Sequence, residues 1–263
     1  MTKEYTSLGL MSGTSGDGVD ASIIKSDGKT KYTLILDKYF KYDEDIYENI
    51  HELKQKLYSP KDLVKFSEEI NNLEKKITIF HAKIIKKIPS SSVDLVGFHG
   101  QTIFHNAKQK ISKQLGDGNL LSQLIKKDVV NNFRENDIKN GGQGAPLTPI
   151  YHKLFVNEKK INLPVIILNI GGIANMTILN EDENFFSTDI GPGNCLIDLW
   201  IRTNSNKKFD MNGDIAKSGK INELILNQAI DNFKIDSYSN SMDIKNFDTS
   251  FVRGLSLEDG CAT

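Results

Sequence analysis

Five stretches of this chain combine glycine with short polar or acidic side chains in a way that could do chemistry. The first is SGTSGDGVD, Ser12 to Asp20. Gly13, Gly16 and Gly18 let the backbone turn tightly and bring its N–H groups close to a ligand. Ser12, Thr14 and Ser15 add hydroxyl donors, and a nest of such donors favours phosphate. One hydrogen bond to a charged group contributes about 1.5–3 kcal/mol, so several in one turn would hold a triphosphate. Asp17 and Asp20 oppose a bare phosphate; they make sense if Mg2+ lies between, or if one points away. No Gly-Lys-Ser/Thr follows, so this is not a Walker loop. The turn joins two strands and opens no helix, so it is not the dinucleotide fingerprint either. Alone, the stretch reads equally as a hairpin with a generous turn.

The second stretch is NIGGIAN, Asn169 to Asn175, where an apolar strand reaches Gly171-Gly172 and a second strand begins. It reads as a bulged hairpin by itself and as a second phosphate-facing turn beside the first. The third is STDIGPGN, Ser187 to Asn194. Asp189 stands at a strand end, just before a glycine turn and a helix start. An acid so placed can deprotonate a hydroxyl or water in phosphoryl transfer, or simply cap the turn.

GFHGQTIFH (Gly97 to His105) and GGQGAPLTPIYH (Gly141 to His152) mix amide, hydroxyl and imidazole groups that suit sugar hydroxyls. No zinc site is expected, since His99 and His105 are six apart and neither Cys nor HExxH accompanies them. Arg134 suits a substrate carboxylate, or a surface ion pair with Glu135 or Asp137. Asp210 to Asp214 imitates a calcium loop, but its glycine comes too early and Ile221 stands where the closing Glu belongs; it reads as a turn. Cys195 has no nearby base and reads as a small buried residue.

The elements that must position these groups follow from periodicity. Residues 7–27 read strand, turn, strand, and 32–40 a third strand. Residues 44–57 read as helix. Leu63, Phe66, Ile70, Leu73, Ile77, Phe80 and Ile84 recur at helical spacing, predicting one helix over 61–88 that Pro89 ends. Val93–Phe98 reads as a buried strand and Leu120–Val130 as a helix. The loop Gly141–Pro149 marks an expected lobe boundary, giving lobes over 1–140 and 141–263. Strands are expected over 164–170, 173–179 and 185–190, and a helix over 194–202. Ser256 is a good N-cap with Glu258 and Asp259 in the first turn. The helix it announces is too short to stand alone and is expected to lack packing partners.

The whole chain has 263 residues, 38% hydrophobic and 25% charged, with a formal net charge of −1. No basic stripe supports a nucleic-acid partner, and no apolar run is long enough to cross a membrane. Two cysteines far apart form neither a disulfide framework nor a metal site; a reducing, cytoplasmic setting is expected. The sequence leaves a homodimer open.

LMSGTSGDGVD, GFHGQT, GGQGAPLTP, NIGGIAN and STDIGPGN occur in the order seen in anhydro-N-acetylmuramic acid kinases, which the chain resembles from Leu8 to Thr263. The resemblance implies a two-lobed α/β fold similar to sugar kinases, heat-shock ATPases and actin, with ATP and Mg2+ held in a cleft. It implies that Gly13, Thr14, Ser15, Gly16, Asp17, Gly18, Val19 and Asp20 form one phosphate hairpin. Asn169, Gly171, Gly172 and Asn175 would form the other. Asp189 would be the catalytic base, and His99, Gly100, Gln101, Thr102 and Arg134 would lie on the side of an amino-sugar substrate. The implied reaction converts ATP, water and 1,6-anhydro-N-acetylmuramic acid to ADP and N-acetylmuramic acid 6-phosphate, in cell-wall recycling. Two departures stand out. The family usually carries Asp before Phe-Arg, where this chain has Asn132. Members also run on past LSLEDGCAT, so the second lobe is expected to be incomplete and activity impaired. The alternatives are a catalytically dead sugar- or phosphate-binding remnant and an actin-like ATPase indifferent to sugar.

Overall fold

The computed structural model describes residues 3–89, 92–182, 184–233 and 242–263. The chain divides into two units, Met1–Leu163 and Pro164–Thr263. The loop at 141–148 and the helix after it therefore belong to the first unit, although the sequence set the boundary before them.

In the first unit, β1 (Tyr5–Ser12), β2 (Gly18–Ser26) and β3 (Tyr32–Lys41) form an antiparallel meander. Alternation sends Leu8, Leu10, Val19, Ala21 and Ile23 to one face, where all are buried. On that face lie α1 (Glu44–Lys56), which buries Ile46, Ile50 and Leu53, and α3 (Ser67–Lys86), which buries Ile70, Leu73, Ile77 and Ile84. A short α2 (Pro60–Lys65) precedes α3. The single helix expected over 61–88 is thus two. Ser59 and Asp62 form a capping box that starts α2 independently, and Phe66, with φ −102° and ψ 24°, breaks the ladder.

The pivotal strand is β4 (Leu95–Asn106), longer than the Val93–Phe98 expected. Its first half runs parallel to β1, with Leu8 opposite Val96 and Leu10 opposite Phe98. Its second half pairs antiparallel with β5 (Ile111–Leu115). The change of partner falls at Gly100, where φ is +72° and a Cβ would stand 2.3 Å from the Leu115 carbonyl oxygen. Only glycine fits. The kink coincides with a register shift in β1, after which Ser12 lies opposite Gln101. After α4 (Gly118–Ile125) the chain turns left-handed at Lys126 and adds β6 (Asp128–Val130) parallel to β4. The helix expected to reach Val130 ends early because its β-branched tail completes the sheet beside Leu95. Two further helices, α5 (Glu135–Lys139) and α6 (Pro149–Lys159), finish the unit.

In the second unit, β7 (Val165–Ile170), β8 (Ile173–Leu179) and β9 (Phe185–Pro192) form an antiparallel sheet in that order. Next come α7 (Cys195–Asn204), α8 (Asp214–Ser218), α9 (Glu223–Asn232) and α10 (Leu257–Ala262). Ser256 caps α10 as expected, accepting the Asp259 N–H at 3.0 Å. The expectation that this short helix lacks support does not hold. It packs on α7 and α8: the Trp200 indole donates to Leu257 O at 3.0 Å, and a Cβ on Gly260 would stand 2.4 Å from the Trp200 ring. Cys261 joins Trp200, Ile201, Ile215 and Val252 in one buried cluster. Asp210, at the false calcium loop, receives the Ile215 and Ala216 N–H groups that open α8.

Replacing Gly100 by Ala is expected to destabilise the chain by about 2–3 kcal/mol. Far-UV circular dichroism in urea would show a lower midpoint; a wild-type midpoint would contradict the kink's role.

Candidate functional site

A turn binds an anion through backbone N–H groups left without an acceptor, and carbonyls bonded elsewhere reduce the repulsion an anion meets. Three carbonyls of the first glycine turn are bonded in this way. Gly13 O accepts from the Gln101 side-chain amide at 2.9 Å and from Gly16 N at 3.2 Å. Thr14 O accepts from Lys54 Nζ at 2.5 Å. Asp17 O accepts from Tyr42 N at 2.9 Å. Among the described residues, no acceptor takes the N–H groups of Thr14 or Ser15, and both residues are exposed.

Two glycines are needed here for close approach. At Gly16, with φ +68°, a Cβ would meet Ile50 Cγ2 at 2.9 Å, and at Gly18 it would meet Phe40 O at 2.5 Å. Val19 is fully buried in the core, so it offers a ligand only its backbone. Ser12 is buried too and shares a 2.8 Å hydrogen bond with the Tyr42 hydroxyl, so it braces the turn from within. Asp17 receives the Ser15 hydroxyl and, at 3.1 Å, that of Tyr39. Asp20 titrates above the usual carboxylate range, because of partial burial and then the nearby Asp17 and Asp37 carboxylates. That repulsion is what a bound cation would relieve.

The residues expected on the sugar side separate into two groups. Gln101 is fully buried and its side-chain amide donates to Gly13 O, so it braces the first turn, while its Oε1 is buried without a partner among the described residues. Thr102 is buried and accepts from the Gln114 amide at 3.3 Å, while Gly100 serves the kink. His99 and Arg134 do come together: Arg134 Nε donates to His99 Nε2 at 3.1 Å. His99 Nδ1 lies 2.7 Å from Gly100 O, which can only accept. The ring is therefore neutral, with its proton on Nδ1. Burial, then the Arg134 charge, lowers its pKa to about 4. Asn132 adopts φ 58°, a left-handed conformation that Asn and Asp both tolerate. The Asn in this position therefore keeps the backbone that brings Arg134 to His99. The GGQGAP loop is held by Asp137, which accepts Gly144 N at 2.7 Å.

In the second unit the glycine turn also has its carbonyls occupied. Gly171 O accepts Asn194 N at 2.8 Å, and Gly172 O accepts Gly193 N at 3.0 Å and Cys195 N at 3.2 Å. Gly193 approaches so closely that a Cβ would lie 2.2 Å from Gly171 O. Asn169, Asn175 and Asp189 form one cross-strand row, Asn169 opposite Asn175 and Asn175 opposite Asp189. A bulge between Ala174 and Asn175 sets that register, as bulges do when they re-aim a side chain. Asp189 is 8% exposed and Oδ2 accepts Met242 N at 2.8 Å, fixing the carboxylate plane. Burial raises the Cys195 thiol pKa, the opposite of what a nucleophile requires.

Sequence reasoning missed Lys54, Tyr39, Tyr42 and Asp137, which lie outside the motifs they support. It also missed His81, fully buried against Phe98, whose Nδ1 meets Ile77 O at 2.8 Å. No group of three or more His, Cys, Asp or Glu among the described residues is arranged to hold a metal by itself.

Residues 5–241 match the family described as anhydro-N-acetylmuramic acid kinase. A protein of that name from Pelagibacter ubique is 61% identical over 272 aligned residues, covering 100% of this chain and 72% of that protein. Its namesake from Rhodopseudomonas palustris is 35% identical, covering 98% of this chain and 72% of its own length. The one from Agrobacterium fabrum is 34% identical, covering 100% and 73%.

Two imidazoles carry a testable consequence. His81 and His99 both have pKa values lowered to about 4, chiefly by burial. The unfolded chain then binds protons that the folded chain refuses. Stability is fully present above about pH 6.5 and falls as pH drops towards 4, by up to about 3 kcal/mol per imidazole. Urea midpoints at pH 7 and pH 5 test this; a midpoint that holds or rises at pH 5 would contradict it.

Proposed function

Because this chain belongs to the anhydro-N-acetylmuramic acid kinase family, we propose that it phosphorylates 1,6-anhydro-N-acetylmuramic acid with ATP, opening the anhydro bridge with water. One observation carries the reading: in the turn at 13–17 the carbonyls of Gly13, Thr14 and Asp17 are hydrogen-bonded within the protein, while the N–H groups of the exposed Thr14 and Ser15 have no acceptor among the described residues. Such a turn is built for a polyanion.

The chemistry assigned to each group follows from its placement. Asp189, held by the Met242 amide, takes a proton from water as it attacks the anomeric carbon. The bond from that carbon to the bridging oxygen breaks and its electron pair stays on the 6-oxygen. That oxygen takes the γ-phosphoryl group and ADP leaves. Thr14 and Ser15 N–H groups stabilise phosphate oxygens, and the turn at Gly171-Gly172 serves as the second phosphate-facing element. Asp17 and Asp20 fit the one or two carboxylates that Mg2+ takes beside phosphate oxygens; burial and the neighbouring Asp17 and Asp37 carboxylates hold the Asp20 pKa above the usual range. Bound there, Mg2+ would neutralise charge building on the phosphates. Arg134, oriented by neutral His99, suits the lactyl carboxylate of the sugar.

Both cysteines are free and buried, and no helix among the described residues is long and apolar enough to cross a membrane. The cytoplasmic setting, where the sugar and ATP would meet, is proposed from the family.

A coupled ADP-release assay tests the reading. ADP should form only when anhydro-sugar and MgATP are both present. ADP formation indifferent to the sugar would point instead to an ATPase. Asp189→Asn is expected to lower kcat by about 10²–10⁴-fold while leaving MgATP affinity within a few-fold; wild-type turnover in that variant would remove Asp189 as the base.

A further inference from the structure

Between Asn132 and Gly144 the chain folds back on itself. Arg134 stands at the N-cap of α5, and its Nε donates to His99 Nε2 at 3.1 Å. About one turn later, Asp137 takes hold of the glycine loop that follows the helix. We propose that Asp137 is a positioning residue for the sugar side: it clasps the loop at 142–144 against the stem of Arg134 and so keeps Arg134 where it meets the substrate carboxylate. This rests on the reading of Arg134 as the carboxylate-binding residue. It gives a role to an acid that the sequence offered only as a surface ion-pair partner.

Three observations carry it. First, Asp137 holds the loop at two points. Its carbonyl accepts Gly142 N at 2.8 Å and its Oδ2 accepts Gly144 N at 2.7 Å. Gly144 is buried, and a buried N–H requires an acceptor. Second, two glycines of the loop fit the clasp. A Cβ on Gly142 would lie 2.2 Å from Asp137 Oδ2, so the carboxylate rests directly on that residue. Gly144 has φ +68°, and a Cβ there would stand 2.7 Å from Ile138 Cδ1 and 3.3 Å from Arg134 Cβ. Third, the same contact reaches Arg134. Its Cβ borders Gly144 and its Nε is bonded to His99, so the stem and the head are each fixed by a different element. The simpler role is structural, in which Asp137 only closes the loop after α5 and stabilises the first unit.

Two sugars separate these roles. Calorimetry on the full chain measures binding of 1,6-anhydro-N-acetylmuramic acid and of 1,6-anhydro-N-acetylglucosamine, which lacks the lactyl carboxylate. The proteins are wild type, Asp137→Ala and Asp137→Asn, with urea midpoints taken alongside. Asp137→Ala should weaken the lactyl sugar about 10-fold or more, the worth of one hydrogen bond to a charged group, and leave the other sugar within a few-fold. Asp137→Asn keeps an oxygen acceptor for Gly144 N and should stay within a few-fold of wild type for both. Asp137 is exposed, so neither variant opens the core. Should Asp137→Ala nonetheless fail to fold, Asp137→Glu displaces the acceptor by one methylene and should show the same selective loss. Wild-type binding of both sugars by Asp137→Ala overturns the inference, whatever its urea midpoint. So does an equal loss for the two sugars, or Asp137→Asn binding as weakly as Asp137→Ala. Wild type that binds neither sugar, or both equally, overturns the reading of Arg134 itself, and the Asp137 inference with it.

Discussion

The structure depends most on the occupation of three carbonyl groups. In the turn between β1 and β2, the oxygens of Gly13, Thr14 and Asp17 are held by Gln101, Lys54 and Tyr42. These donors come from β4, α1 and the corner between β3 and α1. A free turn would present oxygens and amides alike and would repel an anion as much as attract it. With these three oxygens bonded, the Thr14 and Ser15 N–H groups are left as donors without an acceptor among the described residues. Much of the first unit serves this arrangement. The Gly100 kink places Gln101 opposite Ser12, and the burial of Ile50 seats α1 beneath Gly16.

The second unit meets the same condition by other means. Its turn oxygens at Gly171 and Gly172 are taken by the backbone amides of Gly193, Asn194 and Cys195. One glycine turn thus restrains another without any long side chain. The bulge in β9, opposite the Ala174–Asn175 step, then brings Asp189 into the row that Asn169 and Asn175 form. Motifs separated in sequence become a single line of polar groups because the antiparallel pairing of β7, β8 and β9 sets them opposite one another.

The sequence revealed the turns and the strands around them, because glycine spacing and period-two alternation are local signals. Ser256 as a cap and Cys195 as a buried thiol were legible for the same reason. What it could not reveal were long-range partnerships. The bond from the Gln101 amide to Gly13 was not legible, because an amide in a polar motif carries no mark of its direction; the Gly100 kink brings it opposite Ser12. Phe66 preserved helical spacing through a real break, since one non-helical residue hardly disturbs an apolar stripe. Val129 and Val130 read as helix because a three-residue strand is too short to show alternation. The packing of α10 depends on Gly260 meeting Trp200, a contact between residues far apart in the chain.

The most direct test is amide NMR on 15N-labelled protein titrated with MgATP. The Thr14 and Ser15 amide resonances should move strongly and saturably, and their hydrogen exchange should slow, because their N–H groups acquire phosphate acceptors. If those two amides stay unperturbed while others respond to the nucleotide, the withdrawn carbonyls serve some other purpose and the account fails.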